Sequence, residues 1–440
     1  MKIFNNIFSL KHITAKLLFI LIFSSTFYFL LPDKIDTIII FLPQLVLCLL
    51  ALFILYKLIK KKYIPLKKSK RILNLTLFLF FYYLFLTFYR YFSGGNAIQS
   101  FYHVITLFTA IVFYFLIETE IQNIRDIHFD VLFIITLINI LQVIVSIYLG
   151  SIRFSFVLQN IMVYISCTNL MVPFLFFILR YSEKNVIKYL SIINLIIIFI
   201  ANIASGSRTA LVVVLLSYFI SIIINIDKSK KFICQCAIIL SISISLITIF
   251  YKINYLDIRT SILRQTITYT EKISSNNSTT NTTTNTTNES ENNSRDDESY
   301  KQYVLEGINS SNSVRSDLWN KSFSEISKDP LFGTGNIVFE TKYLDQIVMQ
   351  GSHNFILESI LIFGSIGGIL YLIILVLPVI LIVLYSFKNK VNIRLICNFI
   401  LSIGSLFVIA LVQPILTTAL PIMLFWILNS VVFHSVFENK

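Results

Sequence analysis

Charge is scarce in this chain: 13% of its 440 residues are Asp, Glu, Lys or Arg, against 56% hydrophobic ones. So few polar groups cannot cover the surface of a water-soluble protein of this length, which makes the bilayer its solvent. Cysteine is rare as well. Cys48, Cys167, Cys234, Cys236 and Cys397 all fall within or at the ends of apolar runs, so neither a disulfide framework nor a thiolate metal site is indicated. The histidines outside the segments singled out below, His12, His103, His128 and His434, are scattered. Without paired histidines at helical spacing, and without a DxD-like carboxylate cluster, no metal motif is present and no cofactor is expected. Asp296-Asp297 reads as a solvated acidic patch. The formal charge of +13 is spread over alternate short loops rather than gathered into a basic domain, so it is a topology signal and not a nucleic-acid footprint.

What is abundant is Phe, Ile and Leu in long runs. A span needs roughly 20 apolar residues to cross about 30 Å of hydrocarbon, and hydropathy places candidates near 16–31, 37–56, 72–92, 98–117, 129–149, 157–179, 187–204, 209–226, 232–251, 354–386, 393–412 and 415–436. The first is preceded by Lys11 and Lys16 but followed by no small-residue cleavage site, so it reads as a span. The stretch 354–386 is too long for one perpendicular crossing and is interrupted by Gly364, Gly367 and Gly368, which predicts a short leading helix before the span proper. The resulting fold class is an all-α integral membrane protein with about twelve spans.

Lys and Arg bias short loops toward the cytoplasm. With the N-terminus inside, the inner loops hold Lys57 to Arg71, then Arg180, Lys184 and Lys188, then Lys228, Lys230 and Lys231, then Lys388, Lys390 and Arg394. Each short outer loop holds at most one basic residue: Lys34, Arg90, Arg153 and Arg208. Both termini are therefore expected in the cytoplasm of a bacterial cell. The chain divides into spans over 1–251, a large extracytoplasmic loop over 252–352, and spans over 353–440. Within the loop, 274–299 is rich in Asn, Ser and Thr and is expected to be disordered, because it cannot bury enough apolar surface to offset ordering entropy. Ser313 to Lys328 reads instead as an amphipathic helix, with Val314, Leu318, Trp319, Phe323 and Ile326 on one side, lying on the membrane or capping the bundle.

Three polar residues stand out against this background. Arg208 sits in Ala204-Ser205-Gly206-Ser207-Arg208-Thr209, squeezed between two apolar runs; such an arginine faces a cavity, binds an anion, or snorkels from a helix end. Arg315 opens the loop helix in Val314-Arg315-Ser316-Asp317, as an anion site, a solvated side chain, or the partner of Asp317. His353 stands in Gly351-Ser352-His353-Asn354, where the loop returns to the membrane. It can exchange a proton near neutral pH.

In this order the segments resemble the bacterial O-antigen ligase and repeat-unit polymerase family. The resemblance rests on Ser205-Gly206-Ser207-Arg208-Thr209, on Arg315 with Trp319, and on Asp329-Pro330-Leu331-Phe332-Gly333-Thr334-Gly335. It continues through Ser352-His353-Asn354-Phe355-Ile356-Leu357-Glu358 and Phe363-Gly364-Ser365-Ile366-Gly367-Gly368. It covers roughly 190–385, and the N-terminal half matches only in hydropathy. It implies a bundle like those of the GT-C membrane glycosyltransferases. It also implies an undecaprenyl-diphosphate-linked glycan as donor and a glycan hydroxyl as acceptor, with the possible company of other polysaccharide-assembly membrane proteins. Arg208 and Arg315 would bind the donor diphosphate, His353 would be the catalytic base, and Asn354 and Glu358 would support it or the acceptor. Many spans also suit a transporter or flippase, but that reading expects polar residues deep in several helices and internal repeats, and the sequence offers little of either.

Overall fold

The computed structural model describes residues 69–93, 161–182, 184–204, 208–226, 230–245, 313–343, 346–389 and 391–413, with isolated positions at 248 and between 422 and 432. The spans expected at 16–31, 37–56, 98–117 and 129–149, the Asn/Ser/Thr-rich tract, both termini and most of the last span lie outside the described residues. The described helices are α1 (Ser69–Ser93), α2 (Ile161–Tyr181), α3 (Asn185–Ala204), α4 (Arg208–Asn225), α5 (230–245), α6 (313–328), α7 (Phe355–Lys388) and α8 (Ile393–Ala410). Segments within α1, α3, α7 and α8 are long and apolar enough to cross a membrane, and α2 and α4 hold shorter apolar stretches. The fold is mainly helical, as the apolar runs demanded.

One addition is needed to the all-α expectation. The loop contains an antiparallel hairpin, β1 (Val338–Tyr343) with β2 (Gln346–Gly351), in which Val338 faces Gly351 and Tyr343 faces Gln346. Its cause is local: both strands carry β-branched residues and β1 adds Phe339 and Tyr343, types that fit the pleated ladder better than a helix.

Helices α2, α3, α4 and α5 share a core that includes Phe176, Ile198, Tyr218 and Phe232. A second core joins α1, α7 and α8 to the other faces of α2, α3 and α4 through residues such as Tyr83, Leu170, Ala210, Phe355 and Phe399. On α1, Phe78, Phe81, Phe85, Phe88 and Phe92 repeat every three or four residues and are all more than half exposed, the apolar outer stripe a bilayer accommodates.

Buried amides tie the helices together. Asn225 and Asn398 exchange hydrogen bonds between α4 and α8 at 3.0 and 3.1 Å, and Asn169 of α2 donates to Asn202 of α3 at 2.9 Å. Few polar residues were expected deep within the helices, and these buried amides are a correction to that expectation. They join neighbouring helices, as amides do where hydrocarbon offers no competing partner.

The contacts also fix the helix directions. Arg394 donates to the Tyr181 hydroxyl at 2.5 Å, so α8 begins beside the end of α2 and runs antiparallel to α4 through Asn398 and Asn225. Arg180, Lys184, Lys188, Lys388 and Arg394 thus gather at one end of the bundle. The α6 and hairpin segment stands at the other.

Candidate functional site

Helix α6 forms because Val314, Leu318 and Ser322 recur at one-turn spacing and bury against Phe339 and Leu361. Trp319 and Phe323, expected on the same side, lie on the flank instead and are 39% and 58% exposed, since one helical stripe cannot hold all five apolar positions. The hairpin is pinned to α6 by polar contacts. Thr341 Oγ1 donates to Asp317 at 2.8 Å, and Lys321 Nζ donates to Asp317 at 2.7 Å and to the Glu340 carbonyl at 2.6 Å. The Lys321 and Thr341 hydrogen bonds hold the exposed Asp317 carboxyl below its ordinary range. Asp317 is therefore paired with Lys321 rather than Arg315, and Arg315 makes no hydrogen bond or ion pair with the described residues.

One turn along α6 from Arg315, the Trp319 indole N–H donates to the Ser352 carbonyl at 2.9 Å. This bond sets α6 against the segment carrying His353. His353 adopts a left-handed backbone (φ 52°), the one non-glycine residue to do so among the described residues; this turns the chain sharply out of β2 and into α7. Its ring lies between two amides, with Nδ1 3.2 Å from Gln413 Oε1 and Nε2 3.3 Å from Gln350 Oε1. A neutral imidazole has one N–H. With Nδ1–H donating to Gln413, Nε2 is the unprotonated nitrogen and faces the Gln350 side-chain amide. Burial pushes the imidazole below its ordinary value, the Gln413 bond works against that shift, and the nearby Arg315 charge adds to it. Burial and Arg315 thus favour the neutral ring.

Asn354 caps α7: its side-chain oxygen accepts from the Ile356 and Leu357 N–H groups at 2.9 and 3.2 Å, satisfying donors a helix start leaves open. Glu358 is buried at 3% exposure, in a first turn that favours an anion. Its carboxylate lies under Gly351, where an added Cβ would come within 2.7 Å of Oε1. It does not reach either nitrogen of His353, both of which face glutamines.

Arg208 opens α4, and its side chain lies outside the described residues. Its level along the bundle follows from its helix. From the Asn225–Asn398 pair, α4 rises about 25 Å back to Arg208 while α8 rises about 18 Å to Ala410, just short of Gln413. The start of α4 and the Gln413–His353 contact therefore share one end of the bundle.

The feature that sequence reasoning missed is Arg90. Expected as a lone loop charge, it lies in the last turn of α1 and is 2% exposed. Its guanidinium donates to the Phe332 carbonyl at 2.8 Å, to Gly333 O at 2.9 Å, and to the carbonyl of Ile362. The last of these belongs to a broken helix. Gly364 within α7 has φ 71° and ψ 176°, so the expected division into a leading helix (355–363) and a span is present. A helix that stops leaves its last carbonyls without internal partners. Here Leu361 O accepts from Gly335 N at 2.9 Å, Ile362 O from Arg90, and Phe363 O from the Tyr82 hydroxyl at 3.4 Å. The 329–335 turn is fastened to the same break, with Ser365 N donating to Pro330 O at 2.9 Å. Gly333, at φ 69°, leaves no space for a side chain: a Cβ would stand 2.5 Å from Leu361 O. Gln350 and Gln413 were missed too, for a signal exists only in the folded chain.

Among the described residues, no group of three or more His, Cys, Asp or Glu side chains is placed to hold a metal ion. No curated protein matches the chain. Residues 193–372 match the family model described as O-antigen ligase, a span that contains Arg208, Arg315, His353, Asn354 and Glu358 but neither Arg90 nor Gln413. Members of that family are membrane glycosyltransferase-like enzymes that act on lipid-linked glycans. Over those residues, about two-fifths of the chain, the sequence is similar to the O-antigen ligase family.

Proposed function

We propose that this protein is a polymerase that joins undecaprenyl-diphosphate-linked oligosaccharide repeat units into a surface polysaccharide at the outer face of the bacterial plasma membrane. The observation that carries the reading is the nearness of Arg315, which has no hydrogen bond or ion pair among the described residues, to the His353 imidazole, which its charge helps keep neutral, where the loop meets the bundle. An uncommitted guanidinium suits a diphosphate, which it can bind through two parallel hydrogen bonds. A neutral imidazole suits an acceptor hydroxyl, which must lose its proton as it attacks.

In this mechanism Arg208 and Arg315 hold the donor diphosphate. His353 Nε2 takes the proton from the acceptor hydroxyl while its oxygen bonds to the donor's anomeric carbon. The bond from that carbon to the phosphate oxygen breaks, and undecaprenyl diphosphate departs carrying additional negative charge that the two arginines stabilise. Asn354 shapes the site by capping α7, and Gln413 fixes the tautomer. Each turn of the cycle lengthens the glycan by one repeat.

A second reading, a ligase in which the finished glycan passes to lipid A-core or another acceptor, is equally compatible with the matched family. The two differ in acceptor and share the chemistry above. Purified protein in nanodiscs, given labelled lipid-linked repeat unit alone, is expected to produce a ladder of lengthening glycans. Release of label only onto added lipid A-core would replace the polymerase with the ligase. Folded Arg208→Ala or Arg315→Ala variants with wild-type yields of product would end both.

A further inference from the structure

We infer that Arg90 is a positioning residue for this reaction: by seizing carbonyls of the 329–335 turn and of the broken end of α7, it holds the short helix 355–363 so that His353 meets Arg315. The inference rests on the function proposed above, and it draws on a residue outside the matched span.

The leading helix is about 14 Å long, and its two ends are held by different parts of the chain. At its start, Asn354 caps the first turn, and His353 adjoins Ser352, the acceptor for Trp319. At its end, helix α1 supplies three contacts around the break. Tyr82 reaches Phe363 O, Arg90 reaches Ile362 O, and the Tyr83 ring stacks on Phe363 at 3.9 Å with an 11° interplanar angle. The Tyr83 hydroxyl also donates to Gly367 O at 3.2 Å, just beyond the break. Of these residues only Arg90 also grips the turn, through Phe332 O and Gly333 O, and Gly335 presses against its guanidinium, where an added Cβ would stand 3.0 Å from Nη1. Through Nη2 and Nε the one guanidinium serves carbonyls on two segments at once, in a fixed planar geometry that a flexible ammonium does not reproduce. Its charge also stands at the carbonyl end of a helix, where a cation is favourable. Tilting or sliding this helix carries His353 with it, and a misplacement of about 1 Å at a reacting group can cost about 100-fold in rate.

Two measurements test the assignment on Arg90→Lys and Arg90→Ala, each reconstituted in nanodiscs and checked for monodispersity. The first is the kcat and KM of glycan elongation with lipid-linked repeat unit. The second needs no reaction: the rate at which diethylpyrocarbonate modifies His353, followed on its peptide by mass spectrometry at constant pH. Arg90→Lys is expected to lower kcat at least 30-fold with KM within threefold, to raise the modification rate of His353 several-fold, and to regain activity in neither respect on adding guanidinium. Arg90→Ala is expected to show the same losses, with guanidinium at millimolar concentration restoring part of kcat and slowing the modification. Wild-type kcat and wild-type His353 reactivity in Arg90→Lys would overturn the assignment, as would a raised KM with unchanged kcat, which would make Arg90 a donor-binding group. Enhanced His353 reactivity in variants of a protein whose wild type elongates nothing would leave the positioning intact and remove the polymerase.

Discussion

His353 is where the residue-scale chemistry concentrates. Its imidazole has a glutamine on each side rather than a carboxylate, and burial and Arg315 favour the neutral ring against the opposing Gln413 bond. A lowered value means that the base form predominates at neutral pH and is lost only on acidification below the ordinary value of 6.5. Elongation rate is therefore expected to be flat around pH 7 and to fall with a midpoint below 6.5, read from initial rates across a pH series. A midpoint above the ordinary histidine value would contradict this environment. His353→Ala should reduce the rate by roughly 100- to 10,000-fold, the usual share of a general base. Gln413→Leu should reduce it less and move the midpoint further down, because the lost bond opposes the downward shift. These two glutamines illustrate the limit of reading residues singly. Gln413 lies 60 positions from His353, and an isolated glutamine after an apolar run signals nothing until the chain returns to it.

Elements were legible where hydropathy alone decides them. Runs at 72–92, 187–204, 354–386 and 393–412 anticipate α1, α3, α7 and α8 to within a few residues, since spanning the membrane leaves the backbone little choice but a helix. The break in α7 was legible as well, because Gly364 interrupts a run otherwise too long for one crossing. The hairpin was not, for its strands are short and carry mixed polarity beside a loop that hides their alternation. Arg90 was unreadable for a different reason: its partners are backbone carbonyls, which carry no residue identity. The glycines separate these roles experimentally. At Gly364 a Cβ would lie 1.9 Å from Leu331 O on a backbone of φ 71°, so Gly364→Ala adds about 1–3 kcal/mol of strain to a direct clash. Gly404 in α8 has nothing within 4 Å, and Gly404→Ala should be neutral or gain about 0.5–1 kcal/mol. Thermal unfolding in detergent is expected to show a markedly lower midpoint for the first and an unchanged or higher one for the second; equal midpoints would contradict the account of the break.

At the scale of the whole molecule, Arg180, Lys184, Lys188, Lys388 and Arg394 gather at the end of the bundle away from His353, which is the polarity that the positive-inside bias needs. This yields an orientation that can be measured in intact cells. In a cysteine-free background, Ser324→Cys on the exposed side of α6 should react with a membrane-impermeant maleimide added outside. Lys184→Cys between α2 and α3 should react only after permeabilisation. The reverse pattern would turn the site toward the cytoplasm, where the proposed polymer could not be made for export.

The guanidinium of Arg90 reaches into the matched span from a helix that shares no motif with it, at more than 240 positions' remove in the chain. Chimeras that exchange only the matched block, 193–372, between relatives would therefore sever a mechanical link that lies outside that block. A graft that transfers the block together with the end of α1 keeps that link and should work where the smaller graft fails.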